Sequence, residues 1–283
     1  LKPGNLSQAF DYINIYVDGA RLLAGGQSLL AALNMRLAAP SVLIDINGLS
    51  ELAGIVVRGD KLVIGALTRH VEVERSALVA QHAPLLSLAM PHVAHVAVRN
   101  RGTFGGSIAF ADPAAELPAC CVALAAVFVV AGRDGERRIA ARDFFRGLYE
   151  TALQPGELLI ATEFTLAQPD ERAAFHELAR RHGDYAIAGL AVHARTDGPV
   201  LRNVRLAYFG VDAQPVLAAQ AAAVLEQGPV TPQLIIQAQQ ALTQDLAPQG
   251  DVYYSAALRM PLARVLLARA LTDLLQPVAV KAR

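Results

Sequence analysis

"LLAGGQSLLAALNMR", residues 22–36, runs from apolar residues into two adjacent glycines, then Gln-Ser, then a helix-like pattern. A strand that turns sharply into a helix bares backbone N–H groups at the turn, and glycines keep Cβ atoms out of the way. Such a turn suits an anion, often a phosphate. It is not a Walker loop, because no Gly-Lys-Ser/Thr follows, and it is not GxGxxG. Working outward, residues 20–25 read as a strand and 28–38 as an amphipathic helix closed by Pro40. "SVLIDI" (41–46) reads as a returning buried strand, which makes a βαβ-like unit.

Beyond it, "GIVVRGDKLVIGAL" (54–67) has two β-rich runs around Gly59-Asp60, a hairpin pattern. Residues 70–98 read as helices broken at Pro84 and Pro91. "RNRGTFGGSIAFADPAAELPA" (99–119), dense in Gly, Pro and small residues, predicts an ordered functional loop. The longest apolar run, "ACCVALAAVFVVA" (119–131), is too short to span a bilayer and fits a buried strand or a helix-to-strand segment. The character changes near residue 168. "YAIAGLAVHART" and "NVRLAYFGV" are strand-like, whereas "PVLAAQAAAVLEQG", "TPQLIIQAQQALTQDL" (Thr231 as N-cap, Pro232 at N1) and residues 257–275 are helical.

Composition narrows the function. The chain has 283 residues, 54% hydrophobic and only 18% charged, so an apolar surface partly covered by another subunit is expected. Lys+Arg and Asp+Glu balance at 25 each, which gives no bulk attraction to nucleic acid or anionic membrane. No secretory signal or membrane span is expected, and the location expected is cytoplasmic. The two cysteines, Cys120 and Cys121, are adjacent in an apolar run and are expected as buried thiols. Two cysteines cannot hold an iron–sulfur cluster, which needs four ligands.

Gly-Gly occurs twice, at Gly25-Gly26 and Gly105-Gly106, each ahead of a hydroxyl residue (Ser28, Ser107). On spacing alone the pairs are either two unrelated tight turns or two loops that pinch a diphosphate, with N–H donors from both sides. The surrounding residues add to this. "LLAGGQSLLAALNMRLAAPSVLIDINGLSEL" followed by "VRNRGTFGGSIAFADPAAELPA" resembles the FAD-binding medium subunit of the molybdenum hydroxylase (xanthine and carbon monoxide dehydrogenase) family. "FFRGLYETALQPGELLIATEF", "RRHGDYAIAGLAV" and "YYSAALRMPLARVLLARAL" are similar to that family too, so the resemblance covers essentially the whole chain.

The resemblance implies an α+β protein. Two N-terminal α/β subdomains of the PCMH-type (vanillyl-alcohol-oxidase-like) FAD-binding fold, 1–54 and 55–168, would precede a C-terminal α+β domain, 169–283. It places the FAD pyrophosphate on Ala24, Gly25, Gly26, Gln27 and Ser28, flanked by Leu23 and Leu29, with Thr103, Gly105, Gly106 and Ser107 as the second loop. It puts Asp112 beside the cofactor, Glu116 on a ribose or ribityl hydroxyl, and Leu159 against the flavin ring. Phe175 and His176 stand where many relatives place Tyr or Lys near the flavin. The implied activity is electron transfer in an oxidoreductase. A large partner would bind molybdopterin, a small partner two [2Fe-2S] clusters, and FAD in this chain would pass electrons to an external acceptor. A dimer of heterotrimers is implied as well.

Read without the resemblance, Glu116 could be an ordinary helix-start acid and His176 an exposed polar residue. His92 and His95, spaced i, i+3, show no third metal ligand and suit a helix surface or cap. Asp45 suits a structural hydrogen-bonding role. No nucleophile with an adjacent base appears, so no catalytic residue is assigned. A self-sufficient flavin oxidoreductase and a non-enzymatic scaffold remain as rival readings.

Overall fold

In the computed structural model, which describes residues 1–275, the Gly25-Gly26 turn sits inside a parallel βαβ unit. Helix α1 (Leu6–Tyr16), capped by the Asn5 side chain, leads to β1 (Ala20–Leu23), α2 (Leu29–Asn34) and β2 (Val42–Asp45). Strands β1 and β2 pair from Ala20 opposite Val42 to Leu23 opposite Asp45. Helix α2 is shorter than the 28–38 expected, because Arg36 adopts φ +56°, outside the right-handed helical region.

The hairpin is β3 (Ile55–Arg58) and β4 (Lys61–Gly65), with Gly59 at φ +59°. Four short helices follow: α3 (His70–Arg75), α4 (Ala77–His82), α5 (Pro84–Ala89) and α6 (Val96–Arg99). They break at Pro84 and around Pro91, and also at Ser76, whose hydroxyl caps α4 by accepting from the Val79 N–H. The 99–119 segment is largely helical rather than a loop. It holds α7 (Phe104–Phe110), capped by Thr103, and the start of α8 (Glu116–Ala123). Burial of Phe104 and Ile108 outweighs the low helix propensity of the two glycines.

Helix α8 carries Cys120 and Cys121, both buried and free, and delivers the chain into β5 (Val127–Gly132). Strands β6 (Gly135–Ala140), β7 (Phe145–Gly147), β8 (Glu150–Thr151) and β9 (Leu158–Thr165) follow. The main sheet is antiparallel with order β3-β4-β9-β5-β6, and β7 and β8 pair separately.

A second antiparallel sheet takes its strands in chain order: β10 (Glu171–Ala179), β11 (Ala186–Asp197), β12 (Val200–Phe209) and β13 (Val216–Leu217). Helices α9 (Ala219–Leu225), α10 (Pro232–Asp245) and α11 (Ala256–Leu275) complete the description. Strand alternation divides this sheet between two cores. Leu190, Val192, Leu206 and Tyr208 face the last three helices, whereas Phe175, Ala191, Ala207 and Phe209 join the core built around α5, α7, α8 and the five-stranded sheet. Among the described residues, no helix is long and apolar enough to cross a membrane.

Candidate functional site

A cavity of about 740 Å³ opens between the βαβ unit, the segment from α6 to α8 and the turn at 183–185. Ala24, Gly25, Gly26, Gln27, Ser28 and Leu29 line one side of it. Gly26 takes φ +74°, a conformation that favours glycine. The first helical bond of α2 runs from the Leu30 N–H to the Gly26 carbonyl, 3.0 Å. The N–H groups of the preceding turn therefore lie outside the helix ladder. Ser28 does not cap the helix with its hydroxyl.

The two glycine segments touch. A Cβ on Gly25 would overlap the Arg101 carbonyl and lie 2.8 Å from the Gly102 Cα. A hydrogen-bonded strut holds this contact. Asn47 Nδ2 donates to the Leu23 and Ala24 carbonyls at 3.2 and 2.8 Å, and its Oδ1 accepts from Arg69 Nη2 at 2.7 Å. Arg69 Nη1 also donates to the Arg101 carbonyl. Asp45 steadies Asn47, accepting from its N–H and from Nδ2 at 3.1 and 2.7 Å, and these bonds hold the carboxyl below its ordinary value. Neither Asn47 nor Arg69 stands out in the sequence, because the glycine segments they brace and their bond to each other span 22 to 32 residues of chain.

Thr103, Gly105, Gly106 and Ser107 line the opposite side. They differ from the expected second donor loop in one respect. The N–H groups of Phe104, Gly105 and Gly106 are already used, by the Thr68 carbonyl (2.9 Å), the Ala66 carbonyl (2.8 Å) and Thr103 Oγ1 (3.2 Å). Gly105 is required by packing, since its Cβ would stand 2.5 Å from that of Ala66. This segment therefore supplies close approach and two hydroxyls, and the free N–H donors belong to the first turn.

His70, unremarked in the sequence, is buried beneath the second segment. Its Nε2 lies 2.9 Å from the Thr103 carbonyl, which can only accept, so Nε2 carries the proton. Nδ1 has no partner among the described residues. Burial pushes this imidazole down to about 4, so it is neutral at pH 7.

Asp112, Glu116 and Leu159 line the cavity as well. Asp112 Oδ1 accepts from the Ala114 N–H at 2.9 Å, and burial raises its carboxyl above the usual range. Burial, with Asp112 adding to it, pushes Glu116 up to about 7. Tyr149 and Tyr185, both exposed, stand at the rim.

Three residues expected at the site do not line this cavity. Leu23 ends β1 and contributes its carbonyl to the strut. Phe175 and His176 are consecutive on β10 and so face opposite ways. Phe175 packs on Phe209, with ring centroids 5.6 Å apart, and His176 Nε2 meets Asp273 Oδ2 of α11 at 2.8 Å. His92 and His95 do not sit on one helical face: His92 stacks near His182, 5.9 Å between ring centroids, and His95 precedes α6 and lines the cavity.

Residues 1–164 match the family described as the FAD binding domain in molybdopterin dehydrogenase, and residues 173–274 match the CO dehydrogenase flavoprotein C-terminal domain. The chain belongs to this family. It is similar to the 6-hydroxypseudooxynicotine dehydrogenase complex subunit alpha of Paenarthrobacter nicotinovorans, 37% identical over 91% of this chain and 88% of the relative. The solved carbon monoxide dehydrogenase of Hydrogenophaga pseudoflava superposes with a TM-score of 0.94 at 34% identity, covering 96% of this chain and 95% of that one. Quinoline 2-oxidoreductase from Pseudomonas putida 86 gives 0.91 at 35% identity, covering 97% and 95%.

The chain is an FAD-binding medium subunit of the carbon monoxide and xanthine type of molybdenum hydroxylase. Such subunits work in oxidoreductase complexes with a large molybdenum subunit and a small iron–sulfur subunit. The residues present fit FAD. The cavity lies within the roughly 300–1,000 Å³ typical of ligand sites. The turn at 24–28 presents N–H groups that have no partner among the described residues, and the carboxyls of Asp112 and Glu116 can accept from hydroxyls.

Proposed function

We propose that this medium subunit carries electrons through FAD, from the [2Fe-2S] clusters of its small partner to an external acceptor. It takes no acid–base part in oxidising the organic substrate. The observation that carries this reading is the contact of Gly25 with the Arg101–Gly102 backbone, which brings both glycine segments onto one cavity. FAD supplies the exchange between one-electron donors and a two-electron acceptor, and the protein fixes its position and access.

In this reading the N–H groups at Gly26, Gln27 and Ser28 hold the diphosphate, and the hydroxyls of Ser28, Thr103 and Ser107 close on it. Glu116 accepts from a ribose or ribityl hydroxyl, Asp112 lies beside the cofactor, and Leu159 packs on the flavin ring. The chain divides functionally at 54 and 168. Leu30, Met35 and Leu37, exposed on and after α2, support an apolar face covered by a partner in a dimer of heterotrimers. The two unpaired thiols suit a cytoplasmic setting.

An ultraviolet–visible spectrum of the purified subunit, taken with and without co-purifying partners, tests the proposal. Flavin bands from this chain, joined by iron–sulfur absorbance only with the partners, are expected. A protein that stays colourless after incubation with excess FAD overturns it.

A further inference from the structure

Arg99, the last residue of α6, is a buried cation without a role in the site so far described. Its Nε donates to Glu74 Oε2 of α3 at 3.0 Å, and its Nη1 donates to the Val93 and Ala94 carbonyls at 3.0 and 3.2 Å. Neither carbonyl has another donor among the described residues. Both belong to the turn 93–95, which lines the cavity. Ala94 takes φ +45° there, a left-handed conformation that an alanine keeps only where its surroundings hold it.

The same turn is a seat for the second sheet. Gly183 lies in the turn 180–185 between β10 and β11. A Cβ on it would stand 2.6 Å from His95 Cε1 and 2.8 Å from the Ala94 carbonyl oxygen. Beside it, the His182 ring stacks on His92 with 5.9 Å between centroids. Gly183, Asp184 and Tyr185 are the part of the cavity wall that comes from beyond residue 165. A continuous set of contacts therefore runs from Glu74 through Arg99 and Ala94 to that wall.

We propose that Arg99 is a positioning residue for the cavity mouth. Braced by Glu74, it fixes the turn 93–95, which sets where Gly183 to Tyr185 stand and how far the site is open. A guanidinium suits this task because Nε meets the carboxylate while Nη1 meets two carbonyls, and a lysine ammonium, one compact charge, does not reproduce that fork. The bracing does not depend on what fills the cavity. Its consequence for cofactor retention rests on FAD as the occupant.

The test uses limited trypsin digestion of the full, FAD-free chain, with cleavage sites mapped by mass spectrometry. Arg180 and Arg181 are exposed in the seated turn, and Arg133, exposed between β5 and β6, is the internal reference. Glu74 is 28% exposed and can turn to water when its partner is lost, so Arg99→Lys and Arg99→Met are expected to fold. Both should be cut after Arg180 or Arg181 at least about tenfold faster than the wild type, with the rate at Arg133 unchanged. Equal acceleration at all sites, or none, overturns the proposal. Gly183→Ala, which lifts the turn from its seat with Arg99 in place, should give the same pattern. Combined with Arg99→Lys it should add little, and additive effects also overturn the proposal. Should neither Arg99 variant fold, Glu74→Gln decides: it loosens the brace and should accelerate the same two sites, and an unchanged pattern overturns the proposal.

The second readout is FAD release from the loaded chain, followed by the return of free-flavin fluorescence. Arg99→Lys should release FAD about tenfold faster than the wild type. Unchanged release beside faster cleavage overturns the link to the mouth. If the wild type takes up no FAD, the cofactor assignment falls, and the cleavage pattern still decides whether Arg99 sets the turn.

Discussion

A methyl group built on Gly25 would run into the Arg101 carbonyl and the Gly102 Cα, and main-chain atoms cannot swing aside as a side-chain tip can. Gly25→Ala should therefore push the two glycine segments apart and weaken FAD at least tenfold, with a lower melting temperature, as read by flavin fluorescence and calorimetry. At Gly106 the first obstacle to a side chain is Thr103 Oγ1, 2.5 Å from the Cβ position, so Gly106→Val should disturb the α7 cap as well as empty the site of flavin. His70 makes a different prediction. Its imidazole is protonated more easily unfolded than folded, so its contribution is complete above about pH 6.5 and is lost as pH falls toward about 4. The loss is at most ~1.4 kcal/mol per pH unit for one proton. Melts of His70→Gln, which keeps a donor for the Thr103 carbonyl, should show a shallower acid limb than the wild type.

At the scale of elements, α7 depends on Thr103, whose hydroxyl accepts from the Gly106 N–H while its carbonyl accepts from Ser107. Thr103→Ala should lower stability by about 1 kcal/mol, and Thr103→Ser should restore most of it, as measured by urea unfolding. Helix α7 also marks where the sequence misleads. Its Gly-Gly and the following Asp-Pro look like loop punctuation, yet Phe104 and Ile108 point into the core and pull the segment into a helix. The βαβ unit and the Gly59 hairpin were legible because their signals are local: periodicity, a turn pair, a closing proline. Strand β10 was not, since "ERAAFHELA" mixes small and charged residues, and its pairing with β11 comes from the sheet. The glycine turns could be found in the sequence. Asn47, Arg69 and His70 could not, because their importance comes from partners distant in the chain.

For the whole molecule, Phe175 ties the first 165 residues to the second sheet. It sits between Phe209 of β12 and His92, whose ring centroid is 5.0 Å away, in a core shared by both parts. Phe175→Ala should cost about 3–5 kcal/mol, and two probes, one in each part, should then report separate unfolding midpoints in urea where the wild type shows one. The same integration bears on time as well as on energy. Since Arg69 and Asn47 brace the two glycine segments on each other through protein atoms alone, the clamp exists before its ligand arrives. A site braced in this way is expected to take up its ligand without a loop-ordering step, so that differences in affinity between variants should show mainly in the rate of release. A subunit built this way can be loaded early, which leaves the order of assembly to the contacts between the subunits.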